Sequence, residues 1–246
     1  MPMSKKPLKH SELKKAEQTV ASRLKSSWGK GRPQLPVIPI RPERYLIISE
    51  GTKTEPYYFG EMKKRINENY HGQYVTVTVQ GEGKNTLSLF EQAREIAEGD
   101  ADGFTQVWVV YDKDSFPRGN FNSVVEKCAQ ASKDGTEYRA VWSNESFELW
   151  YVLHFHYQQS ALGREAYVEM LSVLMEDAGM GPYGKGRTDM YEILESILSG
   201  AIANAKKLEA VNAGKAPADA NPGTTVHKLV EELLPYMKRL GEPEDE

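Results

Sequence analysis

Short apolar segments alternate with longer amphipathic segments four times between residues 44 and 157. Such alternation is typical of βαβ units with right-handed crossovers, and it therefore predicts an α/β fold with a mostly parallel sheet covered by helices on both faces. In the common doubly wound strand order 2-1-3-4, strands one and three are neighbours, and ligands bind beyond their carboxyl ends. The predicted strands are 44–49, 73–79, 106–111 and 138–142, and the predicted helices are 55–69, 86–98, 121–133 and 145–157.

The chain divides by composition into three predicted parts. Residues 1–40 form a basic arm that ends in a linker rich in proline and glycine, residues 41–157 form the α/β domain, and residues 158–246 form a helical extension. Helices of the extension are expected at 164–177, 188–211 and 224–240, with an irregular loop at 213–223. Thr188 and Thr224 are the expected N-caps of the last two helices.

Charge is distributed unevenly along the chain. Residues 1–40 carry nine Lys and Arg and two Glu, a net charge of +7, so the remainder carries −11 of the total of −4. The arm could therefore lie on phosphates, whereas the body has no general attraction for nucleic acid. The single cysteine, Cys128, excludes an internal disulfide. No apolar stretch approaches the length of a membrane span, and Met1 begins a polar segment, so we expect a cytoplasmic protein without membrane contact.

Three acidic residues follow two of the predicted strands. Glu50 directly follows the apolar run 44–49, and Asp112 and Asp114 follow the run 107–111. Because the carboxyl ends of parallel strands meet at one edge of a sheet, these carboxylates should converge there. Carboxylates held close together repel each other unless they share a proton or bind a hard cation through oxygen. The pattern therefore predicts a divalent-metal site.

Two further glutamates and two basic segments are candidates for the same site. Glu55 is either a metal ligand or a residue that complements the dipole of its helix. Glu148 lies in an apolar segment, where its carboxylate needs a partner such as an arginine or the metal cluster. Lys53 could neutralise charge on a phosphate. The glycine-rich segment 179–186 follows a helix rather than a strand, which argues against a dinucleotide-binding motif. We therefore interpret this part of the chain as a basic loop that carries Lys185 and Arg187.

Three segments of the chain resemble the RloB-like family, whose members are similar to the Toprim fold and occur in bacterial restriction and anti-phage loci. The resemblance covers roughly residues 41–157 and continues more weakly to about residue 234. It is carried by the segments Ile48-Ser-Glu-Gly-Thr-Lys-Thr-Glu-Pro-Tyr-Tyr-Phe59, Val109-Val-Tyr-Asp-Lys-Asp114 and Ser143-Asn-Glu-Ser-Phe-Glu-Leu-Trp-Tyr-Val-Leu-His-Phe155.

The resemblance implies a nuclease that depends on Mg²⁺ or Mn²⁺, acts on DNA or RNA in anti-phage or restriction-linked defence, and works with an ATPase from the same locus. It implies that Glu50 is the general acid/base or a metal ligand and that Asp112 and Asp114 are metal ligands. In related nucleases of the overcoming-lysogenization type a second glutamate approaches the metal, which makes Glu55 a candidate. Homo-oligomerisation is left open.

Two other interpretations remain. The domain could be a binding or sensor subunit without catalysis, an interpretation that the acidic body favours. A phosphatase similar to the haloacid dehalogenases would use Asp112 as a nucleophile, but that chemistry normally follows the first strand of a sheet, whereas Asp112 follows the third.

Overall fold

A computed structural model of the chain describes residues 42–72, 75–83, 86–114, 116–132 and 135–238. The predicted basic arm and linker, residues 1–40, lie outside the described residues. The described residues form one compact unit. Within the described ranges, no helix is long and apolar enough to cross a membrane.

The described elements follow the predicted alternation and then become helical. The strands are β1 (Glu43–Ser49), β2 (Val75–Gly81), β3 (Gln106–Asp112), β4 (Glu137–Asn144) and β5 (Gly223–Thr224). The helices are α1 (Thr54–Tyr70), α2 (Thr86–Gly99), α3 (Arg118–Ala131), α4 (Glu148–Phe155), α5 (Arg164–Asp177), α6 (Met190–Leu194), α7 (Leu198–Val211) and α8 (Val226–Leu233).

The strands form one sheet with the order β2-β1-β3-β4-β5. The first four strands are parallel, and the predicted order 2-1-3-4 and the α/β fold class are confirmed. The sequence did not predict β5, which pairs antiparallel with the end of β4. In the register of β1 and β3, Ser49 lies beside Val110, so Glu50 and Asp112 follow at the same sheet edge.

Two apolar cores cover the two faces of the sheet, and alternate strand residues enter each of them. Tyr45 and Ile47 of β1 pack on one face against α1 and the helices from α4 onwards. Leu46 and Ile48 pack on the other face against α2 and α3. The C-terminal helices therefore share a core with α1 and the sheet, which places residues distant in sequence beside the carboxyl ends of the strands.

Several predicted boundaries differ from the structure. The fourth helix begins at Glu148 because β4 continues to Asn144. The predicted helix 188–211 is interrupted by a 3₁₀ turn at Glu195–Ile197, and the last helix begins at Val226 because Thr224 belongs to β5. The predicted loop 213–223 contains a short 3₁₀ helix, Pro217–Asp219, whose Ala218 amide donates to the Asn122 side chain at 2.9 Å.

Candidate metal and nucleic-acid site

Glu50 lies directly after β1, against the end of β3. Its backbone amide donates to the Val110 carbonyl at 3.0 Å, which continues the strand pairing by one residue. One carboxylate oxygen, Oε2, is buried and has no hydrogen-bond partner in the described structure. Burial raises the pKa of Glu50 to about 7, although a hydrogen bond from the Asp112 backbone lowers it and Glu55 adds a smaller increase. The side chain can therefore exchange a proton near neutral pH.

Glu55 lies in the first turn of α1, and only 4% of its surface is exposed. The carboxylate packs against the loop that follows β1, so that a Cβ atom added to Gly51 would lie 2.3 Å from Glu55 Oε2. Glycine at position 51 thus leaves the space that the carboxylate occupies. Burial raises the pKa of Glu55 to about 6, and the neighbouring Glu148 carboxylate contributes to this increase.

Asp112 is the last residue of β3 and is 4% exposed. Its Oδ2 atom accepts two hydrogen bonds, from the Phe147 backbone amide at 3.1 Å and from Arg164 Nη2 at 3.0 Å. Its Oδ1 atom is buried and has no partner among the described residues. Burial, together with the Glu55 and Glu148 carboxylates, holds the pKa of Asp112 well above its usual value, while Arg164 lowers it.

Asp114 lies two residues beyond β3 in a left-handed backbone conformation with φ of 36°. Its backbone amide donates to the Glu145 carbonyl at 3.0 Å, which holds this turn against the loop after β4. Its Oδ2 atom accepts a hydrogen bond from Arg164 Nη1 at 2.6 Å. Since Nη2 of the same guanidinium contacts Asp112, Arg164 bridges the two aspartates.

Glu148 is the first residue of α4 and is 2% exposed. Its Oε1 atom accepts a hydrogen bond from the Tyr183 hydroxyl at 3.1 Å. Tyr183 belongs to the glycine-rich loop 179–186, so this loop of the C-terminal part of the chain contacts the acidic cluster. The partner that the sequence required for Glu148 is thus a tyrosine hydroxyl.

These side chains meet in a cleft of about 430 Å³ at the carboxyl edge of the sheet. Its acidic lining residues are Glu50, Glu55, Asp112 and Glu148. Its cationic lining residues are Lys53, Arg164 and Lys185. Lys53 and Lys185 are exposed and form no ion pair with any residue that the structure describes, whereas Arg187 is bound to Asp189 at 2.7 Å. Asp114 reaches the cleft through its ion pair with Arg164.

Comparison with known protein families assigns the chain to one of them. A family model described as RloB-like protein matches residues 45–233. The chain belongs to the RloB-like family. Comparisons with curated proteins and with solved structures find no match. The matched range of this RloB-like protein includes the site residues at the ends of β1 and β3, and also Arg164 and Tyr183.

The residue types of the cleft fit a divalent cation, but their present arrangement does not form a complete set of ligands. Mg²⁺ and Mn²⁺ prefer carboxylate oxygens, and Glu50 Oε2 and Asp112 Oδ1 are buried oxygens that lack a partner. However, within the described ranges no group of three or more His, Cys, Asp or Glu side chains is placed to hold a metal. The cation observed beside the aspartates is the Arg164 guanidinium.

The sequence did not identify Arg164 or Tyr183 as site residues of this RloB-like protein. Arg164 begins a helix 50 positions after Asp114 and resembles an ordinary solvated residue there. The one signal that could have found it is electrostatic, because Asp112 and Asp114 required some positive partner. Tyr183 lies in the glycine-rich loop 179–186, where no feature of the sequence distinguishes it as a partner of Glu148.

Proposed function

We propose that this RloB-like protein is a nuclease of Toprim-like type that depends on Mg²⁺ or Mn²⁺. The observation that supports this function best is the pair of buried carboxylate oxygens without partners, Glu50 Oε2 and Asp112 Oδ1, at the ends of neighbouring parallel strands. An unsatisfied buried carboxylate oxygen is costly, and a cation relieves that cost. The proposed setting is bacterial defence against phage or foreign nucleic acid, in the cytoplasm and with an ATPase partner.

Glu50 and Asp112 would be the central ligands of the metal, and Glu55, Asp114 and Glu148 are the further ligands that the sequence predicts. When bound, a divalent cation would polarise the scissile phosphate and lower the pKa of a bound water. The protein itself contributes the positions of these carboxylates, which are fixed by β1, β3 and the first turns of α1 and α4.

Other side chains of the cleft suit the remaining tasks of phosphodiester cleavage. The Lys53 and Lys185 ammonium groups are free to contact phosphate oxygens at the rim of the cleft. In the alternative role of general acid/base rather than metal ligand, Glu50, whose pKa burial raises to about 7, is suited to accept or donate the proton that the reaction moves. Outside residues 1–40 the chain carries a net charge of −11, so an anionic substrate needs the cations of the cleft to hold it.

Asp112→Asn is the most direct test, because asparagine keeps the shape of the side chain and can still accept from the Phe147 amide. The full chain, with and without its partner ATPase, is incubated with DNA and RNA in Mn²⁺ or Mg²⁺. We expect metal-dependent cleavage that D112N lowers by about 100-fold or more. The control is Asp177→Asn, an exposed aspartate at the end of α5, which should cleave like the wild type. Absence of cleavage under all these conditions would contradict the proposal.

A binding or sensor subunit without catalysis is the second candidate. The ion pairs of Arg164 with both aspartates favour it, because they already neutralise part of the acidic cluster. Isothermal titration calorimetry separates the two functions. Mn²⁺ binding that D112N and Glu50→Gln both weaken supports the nuclease, whereas absence of Mn²⁺ binding supports the sensor.

A further inference from the structure

The hydrogen bonds of the Arg164 side chain within the described residues go to the two aspartates. Nη1 contacts Asp114 at 2.6 Å and Nη2 contacts Asp112 at 3.0 Å, while Nε is buried and has no partner in the described structure. The side chain is 33% exposed, so one edge of the guanidinium faces the cleft. A guanidinium has five N–H donors, and these contacts use one N–H of Nη1 and one of Nη2.

The position of Arg164 in its helix adds no support to these contacts. It is the first residue of α5, where the positive end of the helix dipole disfavours a cation. Gly163 precedes it and provides no side-chain cap, and a Cβ atom at position 163 would meet no atom within 4 Å. The helix end from which the Arg164 side chain extends is thus uncrowded at position 163.

A divalent cation and this guanidinium would compete for the same two carboxylates. Asp112 Oδ2 and Asp114 Oδ2, which accept from Arg164, are also oxygens of the kind that Mg²⁺ and Mn²⁺ bind. A doubly charged ion between the carboxylates would repel a guanidinium at this distance. Beside such an ion the displaced guanidinium would be available to a phosphate of the substrate, which arginine binds through two parallel hydrogen bonds.

We propose that Arg164 is an exchangeable cation of the site, which a divalent metal displaces from Asp112 and Asp114 and which then binds the phosphate of the nucleic acid. This inference rests on the proposed function and adds the residue that links metal binding to substrate binding.

The test measures two affinities in the same variants of the full chain. Mn²⁺ binding is measured by isothermal titration calorimetry, and binding of fluorescein-labelled DNA and RNA oligonucleotides is measured by anisotropy in Ca²⁺, under conditions where gels show no cleavage. We expect Arg164→Gln to bind Mn²⁺ about tenfold more tightly or better, because the competing cation is gone. The same variant should bind oligonucleotide about tenfold more weakly.

Opposite changes of the two affinities distinguish exchange from a structural role, which would weaken both. The matched control is Arg94→Gln, since Arg94 also pairs with two carboxylates, Glu91 and Glu98, but lies on α2 outside the cleft. It should leave both affinities unchanged. If R164Q does not fold, Arg164→Lys takes its place, because a lysine cannot bridge both aspartates in the same way and should also bind Mn²⁺ more tightly than the wild type.

The outcomes separate the inference from the function on which it rests. Mn²⁺ affinity that is equal or weaker in the Arg164 variants, with normal binding in the wild type, overturns the exchange and leaves the metal site standing. Absence of Mn²⁺ binding in the wild type and in every variant overturns the metal-dependent function, and the exchange with it.

Discussion

The guanidinium of Arg164 lies 3.0 Å from the carboxylate of Asp112, although the two residues are 52 positions apart in the chain. Asp112 ends a strand of the sheet, and Arg164 begins a helix of the C-terminal part. The acidic edge of the sheet is therefore completed by residues outside the segment 41–157. Any variant that moves α5 relative to β3 should alter the charge balance of the site.

Gly51→Ala should disturb the site and leave the fold intact. The new methyl group would lie 2.3 Å from Glu55 Oε2, and the end of a glutamate side chain can shift where backbone could not. We expect weaker Mn²⁺ binding with little change in melting temperature. Gly60→Ala is the control, since no atom lies within 4 Å of its added Cβ and the position is inside α1. It should stabilise the protein by about 0.5–1 kcal/mol and leave Mn²⁺ binding unchanged.

Protein free of metal should lose stability as the pH rises, in part through Glu50. Its pKa is about 7 in the folded protein and 4.5 ordinarily, so its contribution is fully present below about pH 4.5 and is lost as the pH rises through about 7. Glu50→Gln removes this contribution. We measure thermal melts of both proteins in EDTA. The difference between their melting temperatures, wild type minus E50Q, should decrease from about pH 5 to about pH 8.

The control for this pH dependence is Glu126→Gln, which changes an exposed glutamate of α3. Its melting temperature should follow that of the wild type throughout the range. A difference between wild type and E50Q that stays constant with pH would contradict the burial of the Glu50 carboxylate.

Tyr183→Phe should destabilise the protein because it removes the hydroxyl that donates to buried Glu148. Leaving a buried acceptor without its donor costs about 1–3 kcal/mol, and we expect a loss of this size in urea unfolding. Tyr191→Phe is the matched control, since the Tyr191 hydroxyl contacts the half-exposed Glu195 at 3.4 Å. Equal losses in the two variants would argue against a special role of Tyr183 at the site.

Gly223→Ala should destabilise the sheet edge at β5. An added Cβ would lie 2.5 Å from the Ala220 carbonyl oxygen, a backbone atom that cannot move without breaking the turn before β5. We expect a loss of about 1–3 kcal/mol in the free energy of unfolding. Gly200→Ala within α7, where the nearest atom lies at 4.0 Å, should not destabilise the protein. An unchanged free energy of unfolding in Gly223→Ala would show that the turn can move more than its contacts indicate.

The sequence predicted the strand order and the approach of Glu50 to Asp112 because both depend on local signals. Apolar runs mark strands, and the order of a parallel α/β sheet then places their carboxyl ends together. Arg164 gave no such signal, since its role depends on how α5 packs against the sheet. Strand β5 was missed because two residues carry no periodicity, and Thr224 was interpreted as a helix cap although its hydroxyl pairs with that of Ser143.

Strand β5 limits how far the chain can be truncated from its C-terminal end. It pairs with Ser143 and Asn144, and the following Thr225 exchanges hydrogen bonds with the Trp142 backbone. A product that stops before residue 223 would leave these peptide groups of β4 open to another copy of the chain. It would also expose the sheet face that Val226, Leu229 and Val230 cover. We expect such fragments to accumulate in inclusion bodies.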